Sequence, residues 1–289
     1  MITFEAMRPD SENIEREDLN SEMVRRRMAG SLFAAKVVYL ERIDSTNRLA
    51  KELASSGAPE GTVVIAETQT AGRGRMGRHW VSPGHLNLLF SVVVRPECPP
   101  EELFGLTMAL AIGATEAIRE RCGLVAKIKW PNDLYVGSKK LGGLLTEFAL
   151  EERMVTYAVL GLGLNVNWSP QQEKEIFQPA TSIVDETGKR TPRGELLATI
   201  LRRFEILYQR LRSGDLEAIL GYRNEHCMIL GREVLILGQG KSVRGTAVRI
   251  DRDGALVIRE EGGMEKRVVS GEVSLRLASP AERSTGDVS

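Results

Sequence analysis

The chain has 289 residues, room for one large domain or two smaller ones, and an apolar content of 42% that suffices for a sizeable core. Lys and Arg balance Asp and Glu at 39 each, so no global field draws in nucleic acid. Cys98, Cys122 and Cys227 are few and far apart. Neither they nor His79, His85 and His226 have metal-ligand spacing, so no metal site is assigned and a reducing, cytoplasmic setting is expected. No apolar run reaches the ~20 residues that span a bilayer, and the first residues lack the basic and apolar regions of a signal peptide.

Residues 1–20 are polar and acidic and are expected to be loosely ordered. A short helix follows over 21–30, with Met23, Val24 and Met28 on one side and Arg25, Arg26 and Arg27 on the other. It is too short to be a winged-helix DNA-binding domain, which needs roughly 60 residues and three helices. Residues 37–40 read as a strand. A helix over 48–57 carries Leu49, Ala50, Leu53 and Ala54 at helical spacing and ends at Gly57 and Pro59. Between them stand Asp44, Ser45, Thr46 and Asn47, where an N-cap belongs. Four consecutive hydrogen-bonding side chains exceed what one cap needs, and the surplus suits a polar ligand at a helix N-terminus.

A β-branched strand over 62–67 delivers the chain to residues 67–80, which hold Arg73, Arg75 and Arg78 among Gly72, Gly74 and Gly77. Glycine permits positive φ and close backbone approach, while arginine offers a planar charged fork for phosphate and carboxylate. The combination describes a flexible loop that closes on an anion; the plainer reading is a solvated basic turn. The glycines match G-x-G-x-x-G, but Arg73, Arg75 and Met76 fill the spaces and Pro83 stops any following helix. A P-loop fails too, because Arg78 and His79 stand where Lys and Ser or Thr are required.

A strand over 86–94 and a long helix over 101–122 come next. Leu103, Leu106, Leu110, Ala114, Ala117 and Ile118 form the helix's core side, and its alanines and glycines suit close packing on a sheet. Residues 125–133 begin as an alternating strand that Pro131 stops. Residues 134–147 read as a hairpin turning at Gly137 and Ser138, and 154–162 as a buried strand. Helices are expected over 194–212 and 215–222. After Gly231 short strands alternate with Gly- and Asp-rich turns (238–240, 251–254, 261–263), the texture of a small β-barrel. The expected division is an extension over 1–36, a main domain over 37–230, a small β-domain over 231–279 and a frayed tail over 280–289.

Lys129, Asp133 and Lys140 cluster around one strand–turn–strand, with Trp130 and Pro131 forming a rigid corner between the first two. Asp44 to Asn47, Gln69 to Trp80, Lys129 to Asp133, Lys140 to Gly143 and Gly161 to Asn165 stand in the order found in biotin protein ligases. The chain resembles that family from about residue 37 to residue 277. The resemblance implies an α+β fold: a central mixed sheet flanked by helices, of the class II synthetase type, with a small SH3-like C-terminal barrel. It implies two steps, activation of biotin by ATP to biotinyl-5′-AMP and transfer to a lysine of a biotin carboxyl carrier protein, a subunit of acetyl-CoA carboxylase or a similar carboxylase.

By the same resemblance, Ser45, Thr46, Asn47 and Gln69 hold the ureido ring of biotin. Arg73, Gly74 and Arg75 belong to the loop that orders over biotin and the adenylate, and Arg78 lies on the phosphate side. Lys140 sits where carboxylate and α-phosphate meet, and Lys129 is a second cation near the phosphates. Asn132 and Asn165 are placed on the adenylate side, and Trp80 is expected to pack beneath the loop as a structural residue. Asp133 orients or deprotonates the acceptor amine, the reading preferred here, or binds Mg²⁺ brought with ATP through water. Lys140, Arg75, Asp133 and Lys129 are the catalytic candidates. No nucleic-acid or membrane partner is expected, DNA repression is not, and homodimers occur in the family. The alternatives are a lipoate-type ligase, which the arginine loop disfavours, and a non-catalytic sensor of biotin or biotinyl-AMP, which the joint presence of Arg73, Arg75 and Lys140 disfavours.

Overall fold

A computed structural model describes residues 19–173, 176, 178–215, 219, 221, 225–237, 242–269 and 274–277. The expected loose N-terminus, the turn at 238–240 and the tail at 280–289 lie outside those residues, as does most of the helix expected over 215–222.

The main layer is a seven-stranded mixed sheet. Its strands in chain order are β1 (Lys36–Ile43), β2 (Thr62–Gln69), β3 (Leu88–Val94), β4 (Lys127–Lys129), β5 (Asp133–Val136), β6 (Lys139–Glu151) and β7 (Met154–Leu164). They lie in the order β1-β2-β3-β7-β6-β5-β4. β1 and β2 are parallel and every other neighbouring pair is antiparallel. The parallel pair needs a crossover, which α2 (Thr46–Ser55) supplies. β3 is buried at every position, as a run that is apolar except for Ser91 requires.

Three helices cover one face: α1 (Ser21–Arg27), α3 (Leu103–Cys122) and α5 (Arg193–Arg212), the short α4 (Ile183–Thr187) preceding the last of them in the chain. Leu19, Val24, Met28 and Phe33 are fully buried in the same core as α3, α5 and the sheet. The short basic helix near the N-terminus is thereby packed into the main layer, where Phe33 stacks on Phe204 at 5.4 Å between ring centres. Close packing by the small residues of α3 was expected against the sheet. The tight approach found at Gly113 is instead to another helix, since a Cβ there would lie 2.9 Å from the Phe204 backbone nitrogen of α5. On the sheet's other face α2 buries Ala50 and Ala54 against Val64, Val93 and Val159.

The C-terminal strands β8 (Glu233–Leu237), β9 (Ser242–Ile250), β10 (Leu256–Arg259), β11 (Glu265–Val268) and β12 (Ser274–Leu277) form a second sheet in the order β11-β10-β9-β8-β12. Its pairs are all antiparallel. Its core includes Trp130 and Tyr135 from the main layer, packed with Ile229, Val234, Ile236 and Leu275. The Trp130 indole N–H donates to the Gly254 carbonyl at 2.8 Å. The corner predicted between Lys129 and Asp133 is a hairpin in which those two residues face each other, with a cis Trp130–Pro131 peptide inside it. The same corner that carries Lys129 and Asp133 thus docks the smaller sheet.

Candidate active site

All thirteen residues singled out for a ligand line one cavity of about 1120 Å³: Ser45, Thr46, Asn47, Gln69, Arg73, Gly74, Arg75, Arg78, Lys129, Asn132, Asp133, Lys140 and Asn165. The topology brings them together because β2 and α2 reach the cavity from one side, and β4, β5, β6 and the end of β7 from the other. The cavity has two chemically distinct ends.

One end is neutral. The expectation that the run before α2 caps its own helix is corrected here: Ser45 occupies the N-cap but makes no side-chain cap bond. Gln69 does this from β2, its Oε1 accepting the Thr46 N–H at 2.8 Å, with the Thr46 hydroxyl 3.1 Å away. The Ser45 hydroxyl is thus left to the cavity. Asn47 donates both amide protons to scaffold acceptors, to the Leu145 carbonyl at 3.1 Å and to Glu147 Oε2 at 3.0 Å. Ser91 lies behind them, its hydroxyl 2.8 Å from Thr46 Oγ1 and 2.6 Å from Asn47 Oδ1. Ser45, Thr46, Asn47 and Ser91 are almost wholly buried, and the polar atoms of this end are largely paired within the protein, as buried polar atoms must be.

The other end is cationic. Arg73, Arg75, Arg78, Lys129 and Lys140 contribute to its lining, and Asp133 is the one carboxylate among the lining residues described. Lys140 Nζ stands 2.7 Å from Asp133 Oδ1 and 5.6 Å from the centre of the Trp80 ring. A parallel bridge between Lys140 and Ala180 fixes the lysine backbone. Lys129 lies over the Tyr135 ring at 4.8 Å. Arg75 donates to Asn132 Oδ1 at 3.2 Å, while Asn132 itself donates to the Leu144 carbonyl. Burial depresses the Arg75 pKa, Asp133 opposes that shift and the nearby charge of Arg78 adds to it. Burial also pushes the Tyr135 phenol up to about 12, aided by Asp133 and opposed by Arg78. It therefore remains a neutral hydroxyl at working pH.

The arginine loop is a compact turn in this structure. Gly74 N–H donates to the Arg78 carbonyl at 2.7 Å, and Trp80 N–H to the Gly72 carbonyl at 2.9 Å. Met76 has φ 57°, a left-handed conformation that non-glycine residues seldom adopt, and its side chain is exposed. Trp80 does more than the structural role expected of it: it forms part of the cavity wall between Lys140 and Gly163. A Cβ on Gly163 would come within 2.6 Å of its ring. Asn165, predicted on the adenylate side, lines the cavity while donating to the Thr181 carbonyl at 3.0 Å.

Sequence reasoning missed several participants. Tyr135, Met228 and Leu275 also line the cavity, the last of these from the C-terminal sheet. Nothing local in the sequence marks them, since each is an ordinary core residue of the second cluster. Glu67 and Arg193 form a fully buried ion pair at 2.6 Å behind the start of the loop. A charged residue inside a buried strand and one at a helix start were the available signals, but 126 residues separate them.

A neutral hydrogen-bonding end joined to a strongly cationic one defines a ligase-type site, built for an uncharged polar head that carries an acid to be activated beside phosphates. The comparisons with known proteins agree. Residues 39–165 match the biotin/lipoate A/B protein ligase family, and residues 229–276 match the biotin protein ligase C terminal domain. The bifunctional ligase/repressor BirA of Bacillus subtilis is 33% identical over 240 residues, which cover 83% of this chain and 74% of that protein. The biotin--[acetyl-CoA-carboxylase] ligase of Mycobacterium tuberculosis is 33% identical over 79% of this chain and 85% of its own length. Among solved structures, the biotin protein ligase from Aquifex aeolicus in complex with biotin and ATP superimposes with a TM-score of 0.72 at 32% identity, covering 84% of this chain and 100% of that one. The chain belongs to the biotin protein ligase family.

Proposed function

We propose that this protein activates biotin with ATP to biotinyl-5′-AMP and transfers the biotinyl group to a lysine of a carboxylase carrier domain, as in acetyl-CoA carboxylase. The observation that carries the reading is a single cavity lined both by the neutral hydrogen-bonding set and by a cationic set that includes Lys140. Its ammonium would lie between the biotin carboxylate and the α-phosphate and offset the charge that accumulates as the two anions meet, a gain concentrated in the transition state. In the first step the carboxylate oxygen attacks the α-phosphorus and pyrophosphate leaves. In the second the acceptor amine attacks the acyl carbon and AMP leaves.

Ser45, Thr46, Asn47 and Gln69 hold the ureido head. Arg73, Arg75 and Arg78 neutralise phosphate oxygens, and Gly74 lets the loop backbone approach the adenylate and shield it from water. Lys129 assists at the phosphates, and Asn132 and Asn165 border the nucleotide. Asp133, its carboxylate 2.7 Å from Lys140 Nζ, orients the acceptor amine and takes its proton. Among the described residues no group of three or more His, Cys, Asp or Glu could hold a metal ion. Mg²⁺ would arrive bound to the ATP phosphates, as its preference for phosphate oxygens and water favours.

The same reading takes residues 37–230 as the catalytic unit, with residues 231–279 closing its nucleotide end. It sets the enzyme in the cytoplasm, in keeping with the three free cysteines. No helix among the described residues is long and apolar enough to cross a membrane. Homodimerisation is part of it too, favoured by the exposed apolar side chains of Phe148, Leu150 and Met154 at the far end of β6 and β7.

The test is biotin-dependent exchange of labelled pyrophosphate into ATP, with lipoate as the control and no carrier present. Exchange with biotin alone is expected. Exchange with lipoate instead would move the chain to the lipoate branch, and tight biotin binding without exchange would make it a sensor.

A further inference from the structure

Lys140 stands at a break in the main sheet. On one side the β5–β6 ladder shifts register: Tyr135 pairs with Lys140 and Leu134 with Gly142, which leaves Leu141 as an extra residue in β6. Such a bulge re-aims the side chains beside it. On the other side β7 ends at Leu164, opposite Gly142. Lys140 lies beyond that end, and residues 179–181 take the place of β7 there. The Lys140 N–H donates to the Pro179 carbonyl at 2.9 Å, and the Lys140 carbonyl accepts the Thr181 N–H at 2.8 Å. The lysine backbone therefore depends on a short strap rather than on a full strand.

The strap runs directly into α4. Ile183 N–H and Val184 N–H donate to the Asn165 and Val166 carbonyls at 3.2 and 2.9 Å, and Ile183 is fully buried in the main core. From α4 the Glu186 side chain turns back. Its Oε1 accepts the Thr181 hydroxyl at 2.6 Å and lies 3.3 Å from Lys139 Nζ. Successive side chains of a strand point to opposite faces, so Lys139 goes to Glu186 while Lys140 enters the cavity and meets Asp133. One carboxylate oxygen thus holds both the strap and β6 beside the Lys140 bridge. Thr181 is fully buried and the Glu186 side chain is 23% exposed. Bonds sheltered in this way are stronger than they would be in water. Glu186 is not among the residues that line the cavity.

We propose that Glu186 is a positioning residue for Lys140: it staples the strap at Thr181 to β6 at Lys139, and so fixes where the Lys140 ammonium stands in the cavity. This rests on the proposed function, in which that ammonium offsets charge during adenylate formation. The staple acts on rate and not on biotin binding, because the neutral end stands on α2, β2 and β3.

The experiment measures single-turnover adenylate formation from biotin and ATP by the full chain. Glu186→Ala should lower the rate about tenfold, within the loss that a small misplacement of a reacting group produces. The biotin Kd by calorimetry should stay within about twofold. Glu186→Gln keeps an acceptor for the Thr181 hydroxyl and should recover part of the rate. In a Lys140→Ala background the Glu186→Ala change should cost less than about twofold, because residues that act through one another are not additive. A full tenfold cost in that background would overturn the proposal, and so would a wild-type rate in Glu186→Ala. If Glu186→Ala does not fold, Thr181→Val removes the hydroxyl with little change of shape and carries the same cycle. Wild type without biotin-dependent pyrophosphate exchange would sink the functional reading instead. The staple is read separately by hydrogen exchange. The amide protons of Lys140 and Thr181 should exchange about tenfold faster in Glu186→Ala, with those of Val159 and Leu160 unchanged. Unchanged protection at Lys140 and Thr181, or a loss spread over β7, would overturn the staple whatever the enzyme's substrate.

Discussion

The two ends of the cavity solve opposite electrostatic problems. At the neutral end the cost of burying polar groups is met within the protein: Thr46, Asn47, Gln69, Ser91 and Glu147 bond to one another and to the scaffold. At the cationic end five basic side chains share the lining with one carboxylate among the described residues, and Arg75 is held at a depressed pKa by burial. Like charges gathered in a partly desolvated site are unfavourable until an anion arrives. On the proposed function the neutral end is pre-formed and contributes selectivity, whereas the cationic end is completed by its ligand and contributes rate. A buried, paired network and an incompletely neutralised one should fail in different ways when mutated.

The largest contrast is expected at Lys140. Lys140→Ala should lower the rate of pyrophosphate exchange by roughly 100- to 1000-fold, the usual loss for a charge-stabilising group at a reacting centre. Biotin affinity by calorimetry should fall much less. Exchange within tenfold of wild type would dissolve the distinction between the two ends. The next effect is in retention. Arg75→Ala should release preformed adenylate about tenfold faster or more, seen as a shorter half-life of the complex by stopped-flow fluorescence. An unaltered half-life would mean that the loop does not retain the intermediate.

The smallest effect is also the sharpest. Gln69→Ala removes both the trans cap of α2 and a ligand contact. It should cost about 1 kcal/mol of stability, as other lost caps do, and raise the biotin KM. Ser45→Ala removes a hydroxyl that caps nothing, so the KM should rise severalfold with a melting temperature within about 1 °C of wild type. If Ser45→Ala melts lower and Gln69→Ala does not, the assignment of the cap is reversed.

Much of this molecule was legible in one dimension. The largely apolar run of β3, the helical spacing of α5 and the Gly and Asp punctuation of the C-terminal strands are local signals, because backbone periodicity is a local property. The site residues were legible for the same reason. Each stands on a short motif whose residue types carry their chemistry, as with the glycines and arginines of residues 72–78, and the cavity gathers all of them. Hydrogen-bond partnership was not legible, and the cap shows why. A serine before a helix predicts a self-contained cap, yet the acceptor comes from Gln69, 23 residues away. Asn47 gives its amide protons to the Leu145 carbonyl and to Glu147, 98 and 100 residues away. The pairing of Glu67 with Arg193 and the arrival of Leu275 at the cavity wall likewise join residues with no local signature. Sequence by itself determined the elements, the motifs and the sign of each site charge, since these depend on side-chain chemistry and near neighbours. The fold alone decided which polar atoms are already paired and which remain open to a ligand, because a hydrogen bond is settled by a few tenths of an ångström across elements that packing brings together.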